Sequence, residues 1–138
     1  MSLSKVHKFE QIIVSLLNDE GWELEWCGGG FEHFDAIGIS PKGKEVILEI
    51  KLRKKYYEKK MIEKYKFDKL LAEEADALYF VSDPKGHYIF WLNDLVKQET
   101  VELYCPDSTL WTKKRNNKEC YLLDEKDAHK IHINYATT

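Results

Sequence analysis

Residues 46–52, Val-Ile-Leu-Glu-Ile-Lys-Leu, set two charged side chains inside an otherwise apolar run. A run of this length, rich in β-branched residues and preceded by a Pro-Lys-Gly-Lys segment, predicts a strand. Side chains alternate between faces along a strand, so Val46, Leu48, Ile50 and Leu52 share one face while Ile47, Glu49 and Lys51 share the other. Two neighbouring charges in so hydrophobic a strand are costly unless they are paired, metal-bound or placed at the rim of the sheet. A Glu-x-Lys at a strand end more often simply emerges into solvent, so its surroundings decide its meaning.

Those surroundings read as an α/β chain. Val6, Phe9, Ile13, Leu16 and Leu17 recur at helical spacing after Ser4, an expected N-cap, and Gly21 is a natural stop. Residues 22–27 alternate like a strand and lead into the loop Gly28-Gly29-Gly30. Residues 34–40 and 45–52 predict two strands joined by a turn at Pro41-Lys42-Gly43-Lys44. A long helix is expected over 54–75, a strand buried on both faces over 77–82, a turn at 83–86 and a further strand over 87–92. Beyond these, 93–104 predicts a short helix and then a strand, 107–118 an exposed polar loop, and 119–123 a strand. Asp124 is expected to cap a short helix ending near Ile131. The order α–β–β–β–α–β–β implies a central mixed β-sheet flanked by helices, with the 54–75 helix as the crossover that parallel strands need. At 138 residues, with no repeat and no long linker, the chain is expected to form one domain, its core over about 5–92 and a C-terminal extension after it.

Asp35 opens the strand before the turn. A hairpin closing near Lys42-Gly43 brings position 35 opposite positions 49 to 51, but the face depends on the turn. A strict two-residue turn pairs 35 with 50 and sends Asp35 to the wrong side; a three-residue turn or a bulge puts it with Glu49 and Lys51. Glu10 lies on the flank of the first helix's apolar stripe, turned towards the sheet rather than cleanly into water.

The charge distribution supplies a further constraint. The net charge is −3, yet the segment Lys51–Lys69 holds nine Lys or Arg against three Asp or Glu, a local +6 in an otherwise acidic chain. Such segregation points to a local polyanion site, although a solvated helix face laced with Glu–Lys pairs has the same composition. Cys27, Cys105 and Cys120 are an odd, widely spaced set without CxxC, which argues against a disulfide framework and a zinc site and fits a reducing cytoplasm. No apolar run reaches the roughly 20 residues that cross a bilayer, and no secretory leader pattern opens the sequence.

In their order and spacing, Glu10, Gly21-Trp22, the Gly28–Gly30 loop, Asp35, and Glu49-Ile50-Lys51 followed by a helix–strand unit resemble the PD-(D/E)XK nuclease superfamily. The layout is most similar to small Holliday junction resolvases and related phage or restriction-type nucleases, over roughly residues 5–92. Phe34 stands where the superfamily name has proline, three glycines stand where junction resolvases usually carry a serine between glycines, and Trp26-Cys27 replaces an arginine expected before that loop. The resemblance implies a restriction endonuclease-like fold and a Mg²⁺-dependent endodeoxyribonuclease, with Mn²⁺ as a substitute and no organic cofactor. It implies metal ligation by Asp35, Glu49 and the backbone carbonyl of Ile50, with Lys51 at the reacting phosphate and Glu10 at a second metal or its water shell.

In that frame Lys54, Lys55, Lys59 and Lys60 are expected to grip flanking phosphates, with Lys66 and Lys69 farther along the helix and Lys113, Lys114 and Arg115 beside Trp111 in the polar loop. DNA is the expected partner. A small domain also suggests a homodimer, for which Tyr88, Phe90 and Trp91 are candidate face residues, at least one of them expected in the core. The competing reading is a catalytically silent nuclease-like module that binds nucleic acid or a protein.

Overall fold

The computed structural model describes residues 3–28, 33–95, 101–106 and 115–131. Helix α1 (Leu3–Asp19) is followed by strands β1 (Glu23–Trp26), β2 (Ala36–Ile39), β3 (Glu45–Leu52) and β4 (Lys59–Glu63). Helix α2 (Lys64–Leu71), strands β5 (Asp76–Asp83), β6 (Gly86–Trp91), β7 (Val101–Pro106), β8 (Arg115–Asp124) and β9 (His129–Ile131) complete the order. The main sheet runs β1-β2-β3-β5-β6-β9, with β3 and β5 parallel and the other neighbours antiparallel. A second, antiparallel sheet runs β4-β8-β7.

The mixed sheet expected from the sequence is present, and its two faces are covered differently. Val46, Leu48 and Ile50 of β3 pack with Ile13, Val14 and Leu17 of α1. Ile47, Tyr79, Val81 and Phe90 pack on the opposite face with Phe67 and Leu70 of α2 and with Ile62, Tyr121 and Leu123 of the second sheet. Burial of these side chains drives the layering; each large one contributes about 1.5–3 kcal/mol. The helix α1 closes on Gly21, at φ +99°, with the Gly21 and Trp22 amides returning to the carbonyls of Asn18 and Leu17. It begins at Leu3, so Ser4 lies within its first turn instead of capping it.

Three sequence expectations change. The 54–75 helix is a loop, then β4, then the eight-residue α2, because Lys59–Glu63 pairs along β8 from Lys59↔Asp124 to Glu63↔Cys120. Tertiary pairing there overrides a local pattern of good helix formers. The helix expected after Asp124 is a single 3₁₀ turn, Glu125–Asp127, with the Asp124 carboxylate accepting from the Lys126 amide at 3.0 Å, after which β9 joins β6. Within the expected 107–118 loop, 115–118 open β8. The part over 107–114, which holds Trp111, Lys113 and Lys114, lies outside the described residues. Tyr88 and Phe90 are buried in the core, leaving Trp91, half-buried, as the one of the three with an outward portion.

Candidate metal centre and nucleic-acid interface

The β2–β3 turn decides where Asp35 lies. Ser40 donates its amide to the Lys44 carbonyl at 2.8 Å, and the Gly43 amide returns to the Ser40 carbonyl at 2.9 Å. These bonds bracket Pro41-Lys42-Gly43 as a three-residue turn, which Gly43 permits with φ +83°. The ladder then pairs Ile39 with Glu45 and Ala36 with Leu48. Beyond that pair Asp35 leaves the regular ladder, and it shares a cleft with Glu49, which lies on the β3 face that carries Lys51.

Asp35 is fixed from two directions. Its amide donates to the Leu48 carbonyl at 2.7 Å, and its Oδ2 accepts from the Ile50 amide at 2.8 Å. Because the amide and carbonyl of one strand residue point to the same side, the Ile50 carbonyl also faces the edge where β2 has ended. The two carboxylates therefore meet at the end of β3, beside the Ile50 backbone, and they border an open cleft of about 260 Å³ with His33, Tyr65, Lys66 and Lys69.

The electrostatics follow from burial. Glu49 is 8% exposed, and burial first, then the Asp35 charge, push its carboxyl up to about 7, against the pull of Lys66 and Lys51. Burial also raises Asp35, opposed by the Ile50 amide and by Lys66 and Lys51. Lys51 is half-buried and its ammonium is pushed down by burial, Lys66 and Arg53. The Lys66 Nζ lies 3.3 Å from Glu49 Oε1; burial works against its charge, but Glu49, Glu63 and Tyr79 together outweigh it and raise it. A buried carboxylate raised by the charge of a half-buried neighbour, itself oriented by a backbone amide, suits a hard divalent cation, which favours oxygen donors and neutralises both.

Glu10 is buried, and its Oε1 accepts from the Trp26 indole at 3.0 Å. It senses the charges of Asp35 and Lys51, and burial raises its carboxyl. Gly28 closes over this pair: a Cβ there would come within 2.7 Å of Glu10 Oε1 and of Trp26 Nε1. Glu10 does not border the cleft, and among the described residues no three His, Cys, Asp or Glu side chains are grouped to hold an ion by themselves.

The basic residues separate into distinct places. Lys66 and Lys69 border the cleft, whereas Lys54, Lys55 and Lys59 are exposed on the segment after β3. Lys60 departs from expectation. It is buried, with Nζ 2.8 Å from Asp83 Oδ2 and 3.5 Å from Glu125 Oε2, bonded also to the Tyr57 carbonyl and enclosed by the rings of Tyr56 and Tyr88. An ammonium held this way joins the second sheet to the end of β5 and does not meet a phosphate. Of Arg115 only the backbone, paired with Pro106, is described. Sequence reasoning missed His33, which pairs with Glu73 at 3.0 Å, and Tyr65, and it did not foresee Lys66 against Glu49. No local pattern signals these, since α2 reaches the cleft only through the sheet's crossover.

No family model matches the sequence, and no curated protein is similar to it. The structure is similar to that of Hjc, a Holliday junction resolvase from the archaeal hyperthermophile Archaeoglobus fulgidus. The TM-score is 0.58 at 16% identity, over 90% of this chain and 89% of that one. At that identity the likeness is one of fold: a mixed α/β arrangement of the restriction endonuclease-like kind.

Proposed function

We propose that this chain is a metal-dependent endonuclease that hydrolyses DNA phosphodiester bonds at Asp35, Glu49 and Lys51, with residues 1–138 acting as one nuclease unit. The observation that carries the reading is the meeting of Asp35 and Glu49 on one cleft at the end of β3, with the Ile50 amide orienting Asp35. Asp35, Glu49 and the Ile50 carbonyl are the residues that would hold Mg²⁺, or Mn²⁺ in its place. When bound, that ion polarises phosphate and lowers the pKa of water. Lys51, on the same face, stabilises negative charge developing on the phosphate oxygens. Glu10, held one step back by Trp26, orients water near Asp35. Lys66 and Lys69 draw the phosphate backbone into the cleft, and Lys54, Lys55 and Lys59 extend the contact, so DNA is the partner. Structure-selective cutting, as by the junction resolvase with the similar fold, is the form this reading takes for a chain with little surface for reading base sequence. A homodimer would supply the second cut.

One observation favours a second reading, a catalytically silent module that binds nucleic acid or a protein. The Lys66 ammonium already gives Glu49 a countercharge at 3.3 Å. Incubation of the protein with supercoiled plasmid and with a four-way junction, in Mg²⁺ or Mn²⁺ and in chelator, separates the two. Metal-dependent cutting supports the nuclease, and preference for the junction supports structure selectivity. Binding with no cutting in either metal supports the silent module.

A further inference from the structure

A second cleft adjoins the candidate metal site. It measures about 520 Å³ and is bordered by Glu63, Lys64, Tyr65, Lys66, Lys118 and Glu119, between α2 and β8. Among the described residues, Tyr65 and Lys66 border both clefts. Tyr65 is 62% exposed, an aromatic ring left in water at the start of a charged helix. The Lys69 ammonium sits 4.5 Å from the ring centroid. Lys69 borders the cleft at Asp35 and Glu49 and not the second one, whereas the Tyr65 ring borders both.

The second cleft is a poor site for a phosphate. The two cations that border it alone are already matched: Lys64 pairs with Asp68 at 2.7 Å and Lys118 with Glu63 at 3.5 Å. The carboxylates among them would repel an anion. A nucleobase is neutral, offers a flat face for stacking, and carries edge donors and acceptors that a mixed set of ammonium and carboxylate groups can meet. We propose that this second cleft is a nucleobase pocket, with Tyr65 as its stacking wall, that takes an unpaired base from the strand whose phosphate lies at Asp35 and Glu49. The proposal rests on the nuclease reading and names its substrate class: DNA with an unpaired nucleotide beside the cut, as at a fork or flap. A base stacked in a fully paired duplex reaches the pocket only after it is pulled from the stack, at a cost of a few kcal/mol.

The test compares a splayed-arm DNA with a continuous duplex of the same sequence, each carrying 2-aminopurine beside the cut site. Wild type, Tyr65→Phe and Tyr65→Ala are assayed in Mg²⁺ for cleavage and in chelator for fluorescence on binding. The pocket predicts that wild type and Tyr65→Phe quench the probe in the splayed arm and that Tyr65→Ala does not. Tyr65→Ala is expected to lose roughly 5–100-fold in kcat/KM on the splayed arm, the range of one base–aromatic stack, and at least five-fold less on the duplex. Equal losses on both substrates, or quenching that survives Tyr65→Ala, overturn the pocket. Tyr65-dependent quenching without metal-dependent cleavage keeps the pocket and removes the nuclease reading. Cleavage without quenching removes the pocket and leaves the nuclease reading intact, and the absence of both removes both.

Discussion

Glu49 is where the electrostatics of the site can be measured directly. Its carboxyl is pushed up to about 7 by burial and by Asp35, from an ordinary value of 4.5. A divalent ion needs the ionised form, so Mg²⁺ affinity measured by calorimetry is expected to rise about five-fold from pH 6 to pH 7 and about ten-fold in all by pH 8, where it levels off. A flat profile contradicts the account. The same shift links to stability with the opposite sense. Between 4.5 and about 7 the folded chain holds a proton on Glu49 more tightly than the unfolded chain does, so its contribution to stability is lost as pH rises through that window. Glu49→Gln, which keeps the shape and removes the charge, is therefore expected to stabilise the metal-free protein at pH 8 by ~1–3 kcal/mol in urea unfolding and by little at pH 4.5. Much of this residue set was visible in the sequence, because a charge pair inside residues 45–52 demands a reason. The position of Asp35 was not, since it turns on whether two or three residues close the loop and on whether a bulge interrupts the ladder. The Ser40–Lys44 bond fixes the turn at three residues, and the bond from the Asp35 amide to Leu48 fixes Asp35 beyond the last regular pair.

At the scale of elements, β3 was legible because its eight residues carry their own pattern, and β4 was illegible because its partner β8 lies some 60 residues farther along the chain. The segment 54–75 holds apolar residues at spacings a helix would also use, and only the pairing of Met61 with Leu122 makes part of it a strand. Lys60 shows the cost of that blindness. Read as one of a run of phosphate-binding lysines, it is instead the buried tie between β4 and Asp83, both side chains almost wholly enclosed. Removing one partner strands the other charge in the interior, so Lys60→Met is expected to cost ~3–5 kcal/mol in equilibrium unfolding. Replacing both, as Lys60→Met with Asp83→Asn, which keeps the Oδ1 acceptor for the Lys85 and Gly86 amides, recovers much of that loss. A single substitution costing under ~1 kcal/mol contradicts the role.

For the whole molecule, the fold similarity to the Archaeoglobus fulgidus resolvase at 16% identity places the sheet and helices, while the chemistry must come from this chain's own residues. The basic segment after β3 gives a prediction that belongs to this scale. DNA binding is expected to weaken with salt in proportion to the phosphates neutralised, at a slope of about −0.7 to −0.9 per contact on logarithmic axes. Replacing Lys54, Lys55 and Lys59 together by Ala is expected to lower the magnitude of that slope by about 2–3; an unchanged slope places the DNA elsewhere. The most direct measurement is the single-turnover rate on a labelled branched DNA in Mg²⁺, for wild type and Asp35→Ala, with chelator as control. The account predicts cleavage by wild type that chelator abolishes, and a rate at least ~100-fold lower for Asp35→Ala, the scale of losing one element of transition-state stabilisation. Wild-type cleavage that persists in chelator, or an Asp35→Ala rate equal to wild type, would contradict it.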